Sequence, residues 1–126
     1  MKKLCLLLML QLAALVLFAQ PPVSKQHLPE PVNPMKDKQD YQGYTIRLLP
    51  ALPTPQAVLS YGFDILKDNK PVVHQVQNPL PSSAKGIQDK QDAYKIAQWM
   101  IGEHTKTGNW PSTVPTKVAE ELRIQN

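Results

Sequence analysis

Hydrophobic and polar positions in this chain follow two periods, one after the other. Within Val58–Lys67 (VLSYGFDILK), Leu59, Tyr61, Phe63 and Ile65 alternate with Ser60, Gly62 and Asp64. A period of two predicts a strand with one buried face and one wetted face, the wetted one carrying Asp64. Upstream, Tyr41–Leu49 (YQGYTIRLL) is rich in aromatic and β-branched residues and stops at Pro50, which predicts another strand. Pro50, Pro53 and Pro55 predict a loop between the two. Asp68-Asn69-Lys70 predicts a tight turn, because Asn tolerates positive φ, and Pro71–Gln77 (PVVHQVQ) predicts a returning strand with Val72 and Val76 on one face. After a loop at Asn78–Gly86 the period lengthens. Ala93, Ile96, Ala97, Met100 and His104 recur at three- and four-residue spacing, the stripe of an amphipathic helix. Asp89 is its expected N-cap, Asp92 at N3 completes a capping-box-like pair, and Gly108 suits its C′ position. Pro115–Ile124 predicts a short second helix with Val118 and Leu122 inward. The expected fold is α+β: a small antiparallel three-stranded β-meander covered by one amphipathic helix, plus a short C-terminal helix.

What precedes this unit reads differently. Lys2-Lys3 is followed by the apolar run Leu4–Ala19, broken by Gln11 and ended by Gln20-Pro21-Pro22. A basic start, an apolar stretch and a terminal small residue predict a secretory signal peptide over residues 1–19, cleaved near Ala19 or Gln20. A spanning anchor needs about 20 apolar residues, more than the sixteen of this run. A lipoprotein signal would place a cysteine just after the run, whereas Cys5 lies at its start. Residues 20–40, with five prolines among Gln, Lys and Asp, predict a solvated linker. The expected domain is residues 41–126, in a periplasmic or secreted location.

Charge and chemistry narrow the classes further. Without Lys2 and Lys3, twelve basic residues face ten acidic ones, and no basic cluster interleaved with aromatics occurs, so nucleic acid is not an expected partner. Loss of Cys5 with the signal leaves no cysteine, which excludes disulfides, thiolate catalysis and cysteine metal sites. His27 falls in the linker and His104 on the inward helix stripe, near the negative end of the helix dipole. His74 sits in a strand, with Ser82 and Ser83 in the following loop but no Gly-x-Ser-x-Gly elbow around either serine. Trp110, beside Pro111, reads as a residue closing the turn after the helix. These observations assign no catalytic, cofactor-binding or metal-ligating residue and imply no cofactor. His74, Gln75 and Trp110 remain as candidates for a binding surface.

Three segments carry a resemblance: Val72-Val73-His74-Gln75 with the loop to Gly86; Ile87-x-Asp89-x-Gln91-Asp92-Ala93-x-x-Ile96-Ala97; and Gly108-Asn109-Trp110-Pro111 before a short charged helix. Together they resemble the domain of unknown function 4907 family, exported proteins of Bacteroidota. The chain departs from that pattern at Ile87, where an aromatic is commoner, and in a longer loop before Gly86. The resemblance implies the fold and export, and no activity. With no convergent set of reactive side chains in the sequence, the expected function is a non-enzymatic binding or accessory module; its partner is not assigned by the sequence, another exported or envelope protein being the candidate. One alternative is a small hydrolase or lyase using His74 with a loop serine or a carboxylate. Another is a membrane-tethered periplasmic module with an uncleaved N-terminal helix.

Overall fold

A computed structural model of the protein describes residues 30–51, 60–81 and 86–125. The expected signal peptide, His27, Pro53 and Pro55, and Ser82-Ser83 lie outside the described residues. Four strands, β1 (Lys38–Tyr41), β2 (Tyr44–Pro50), β3 (Tyr61–Lys67) and β4 (Lys70–Gln75), precede two helices, α1 (Lys90–Thr107) and α2 (Thr116–Glu121). The strands form one antiparallel meander in the order β1-β2-β3-β4.

The α+β class is as expected, but the sheet has four strands rather than three. Tyr41–Leu49 is not one strand. Gln42 and Gly43 both take positive φ (48° and 83°) and fold the chain back as a two-residue hairpin. Such turns favour Asn or Asp at the first position, and Gln42 hides the signal. The strand this creates, β1, uses residues that composition assigns to the linker. The segment before it is also tied down. Val32 packs on the core, the Tyr61 hydroxyl donates to the Glu30 carbonyl, and the Leu48 amide donates to the Asp37 carbonyl at 3.0 Å. Lys90 in the first turn of α1 donates to the Pro31 carbonyl (3.1 Å) and pairs with Asp37 (3.0 Å). The Asn33 amide holds the Asp37 carboxyl below its usual range, with the Lys90 ammonium adding to the effect and burial opposing it. That same carboxylate raises Lys90.

The β3–β4 turn matches expectation, with Asp68 and Asn69 both at positive φ (51° and 62°). The helix cap holds too: the Asp89 carboxylate accepts from the Gln91 amide at 2.6 Å. Asp92 does not complete a capping box. It is buried, and accepts from the Gln125 amide (3.0 Å) and Lys95 (3.4 Å), tying the C-terminal segment to α1. Gly108 ends α1 at φ 77°, its amide bonded to the His104 carbonyl.

The core lies between one sheet face and α1. Ile46 and Leu48 of β2 with Phe63 and Ile65 of β3 meet Ala93, Ile96, Ala97, Met100 and Ile101. Both alanines are fully buried, and their small side chains let the helix lie close to the sheet. Leu80, Ile87 and Val114 close the ends of this layer from connecting segments, and Ala119 adds α2. Fully burying aliphatic side chains of this size stabilises a fold by about 1.5–3 kcal/mol each, before entropy is counted.

Candidate polar site on the open sheet face

Alternation puts a second set of side chains on the sheet face away from α1. Register aligns four of them in one row, one per strand: Lys38 opposite Arg47, Arg47 opposite Asp64, and Asp64 opposite His74. The last pairing depends on an irregularity. The hairpin sets Leu66 opposite Pro71, yet Ile65 lies opposite Val73, so Val72 is an extra residue on β4. Without that bulge Val73 would face Asp64, and His74 would face Phe63 on the core side. A bulge re-aims every side chain beyond it. It also corrects the expected burial: Val72 is 43% exposed and Val73 packs on the core.

Asp64 sits at the centre of the row and is 4% exposed, so the wetted face expected for it is not what the fold provides. Its carboxylate is satisfied from both sides. One oxygen takes the Arg47 guanidinium at 2.7 Å and the other meets the His74 ring Nδ1 at 2.5 Å. A buried carboxylate needs such partners, since an unpaired charge in the interior is costly. With Asp64 as acceptor, the ring hydrogen sits on Nδ1, and in a neutral ring Nε2 is then the acceptor nitrogen. The His74 side chain is 62% exposed. An imidazole oriented by a carboxylate is half of a general-base arrangement, and a nucleophile and oxyanion donors are its other half. Ser82 and Ser83 lie outside the described residues.

One strand step away, Asp40, Thr45 and Leu66 form a second row on the same face, with the Thr45 hydroxyl donating to Asp40 at 2.9 Å. Lys38 and Arg47 of the first row and all of the second line a cleft of about 410 Å³, together with Gln39 and Asn69. Thus the open face holds a paired Arg–Asp–His set beside a cleft lined by Lys38, Arg47 and the largely buried Leu66. Sequence reasoning singled out His74 and missed Lys38, Arg47 and Asp64. The period-two pattern of β2 and β3 places Arg47 and Asp64 off the apolar face, but their pairing needs the register.

The other two candidates stand elsewhere. Gln75 follows His74 onto the opposite side of β4, and its amide donates to the Gln77 carbonyl at 2.7 Å. Trp110 packs beyond the end of α1, stacked on His104 (4.0 Å between centroids, 2° between planes) and edge-on to Tyr44 (5.6 Å). The Lys67 ammonium lies over the Tyr44 ring, 4.7 Å from its centroid. Tyr44 and Trp110 of this row pack against the core. Among the described residues, no group of three or more His, Cys, Asp and Glu is placed to hold a metal ion, and no helix is long and apolar enough to cross a membrane. Comparison with protein-family models, curated proteins and solved structures finds no match to this chain.

Proposed function

We propose that the chain is an exported binding or accessory module, related to the exported family it resembles, that docks its partner on the polar face of the sheet. The observation that carries this reading is the four-residue row Lys38–Arg47–Asp64–His74 beside the cleft. A sheet face left open by both helices, on which Arg47, Asp64 and His74 hold one another in place, is a preorganised surface, and rigidity lowers the entropic cost of association. The N-terminal signal pattern supports a periplasmic or secreted setting, and another exported or envelope protein as the partner.

A second reading is supported by one contact, the 2.5 Å approach of His74 to Asp64. In it the chain is a small hydrolase or lyase in which Asp64 orients His74 as general base. The two are separated by a screen of ester, peptide, glycoside and phosphate hydrolysis on the wild type and on His74→Ala. The binding-module reading expects background rates from both. Turnover in the wild type that disappears in a still-folded His74→Ala would establish the enzyme instead.

A further inference from the structure

Lys38 and Arg47 stand directly opposite one another on the open face. Like charges so placed repel across the roughly 5 Å between paired side-chain bases, unless an anion separates them. Asp64 does not fill that role. Its two oxygens are divided between Arg47 and His74, so it holds Arg47 by a single nitrogen from the β3 side, away from Lys38. Among the described residues Lys38 makes no ion pair, and Arg47 pairs with Asp64 alone. Both cations border the cleft, and Leu66, 8% exposed, is the apolar side chain that reaches its lining.

The opposite end of the cleft limits what fits. Asp40, hydrogen-bonded by Thr45, lies two residues along β1 from Lys38, so a ligand with several negative charges would meet repulsion there. A single carboxylate bridging the two cations would not, and its apolar part could cover Leu66. We infer that the cleft is a subsite for a carboxylate-bearing ligand with a compact apolar body, seated between Lys38 and Arg47. The inference rests on the binding-module reading and gives it a ligand class: the carboxylate of a small organic acid or of an acidic or C-terminal group on a partner chain.

Nuclear magnetic resonance titration of the full chain at low salt tests this, with benzoate, inorganic phosphate and benzylamine as probes. Benzoate is expected to shift the amide signals of Lys38, Asp40, Thr45 and Arg47 saturably, with phosphate weaker and benzylamine inactive there. Lys38→Gln should weaken benzoate about three- to fivefold, the scale of one exposed charge contact, and Lys106→Gln on the far end of α1 should not. An acetylated peptide ending in a free carboxylate, compared with its amide, separates the partner-chain source from the free acid. The inference is overturned by absence of a saturable benzoate shift, by phosphate or benzylamine equalling benzoate, or by equal weakening in both lysine variants. Those outcomes leave the binding-module reading standing, because that reading fails on turnover lost with His74→Ala.

Discussion

Two glycines in regular elements should respond to alanine with opposite signs, and the difference follows from what each new methyl meets. At Gly62, in β3, an added Cβ would lie 2.3 Å from the Gln75 carbonyl oxygen and 3.1 Å from the Val76 Cα. That is about 1 Å inside the roughly 3.3 Å of a close carbon–oxygen contact. The obstacle is backbone and cannot rotate aside, so β4 must move away from β3 where it leaves the sheet. Overpacking of this kind costs about 1–3 kcal/mol. Opposing it, Gly→Ala reduces unfolded-state entropy and stabilises by about 0.4–1 kcal/mol. Gly62 is not at positive φ, so alanine keeps that benefit. The steric cost wins, and Gly62→Ala should lose about 1–2 kcal/mol, or roughly 5–15 °C in Tm for a domain of this size. At Gly102, in α1, nothing lies within 4 Å of the new Cβ. Gly102→Ala should therefore gain about 0.5–1 kcal/mol from helix propensity alone. Thermal and urea unfolding of both variants, followed by circular dichroism, give the comparison. An unchanged or raised Tm for Gly62→Ala would refute the close approach of β4 to β3, and with it the register that places His74 against Asp64.

Two further outcomes test the N-terminal clasp. Residues 42–126 should melt below residues 30–126, because truncation removes β1, the Tyr61–Glu30 contact and the Lys90–Asp37 pair. At about 0.5–1.5 kcal/mol for each backbone hydrogen bond lost, the deficit should reach at least about 2 kcal/mol, and equal melting would show that residues 30–41 do not belong to the fold. The clasp also has a pH signature. Asp37 is lowered from 3.8, so its contribution is complete above that value and is lost as pH falls through the lower folded pKa. Lys90 is raised from 10.5, chiefly by its hydrogen bond to Asp37, and Tyr61 is raised from 10.0, chiefly by burial. Both contributions are complete below those values and are lost as pH rises through the raised ones. The Tm gap between wild type and Asp37→Asn should therefore be constant through neutral pH and close below about pH 4, and a gap undiminished at about pH 2 would contradict the pairing.

Elements that depend on a few neighbouring residues were legible in the chain alone. The Asp68–Asn69 turn, the Asp89 cap, the Ala93–Ile96–Ala97–Met100 stripe and the Gly108 stop each follow from the conformational or hydrogen-bonding preference of residues within one turn of one another. The α+β class follows from the change of period between Ile65 and Ala93. Contacts between distant segments were not legible. Residues 30–40 look unable to build a core, and beyond Val32 they add none; they join an existing sheet edge and a lysine 53 residues away from Asp37. Asp64 reads as wetted because alternation reports only which face a side chain takes, whereas its burial comes from Arg47 and His74 on flanking strands. The bulge at Val72 turns His74 from the core side to Asp64, and no period within β4 encodes it. Local sequence sets the backbone's preferred turns and periods through short-range sterics and hydrogen bonds. Register, burial and the assembly of a site across four strands are set by the energy of packing those elements together, which only the tertiary structure decides.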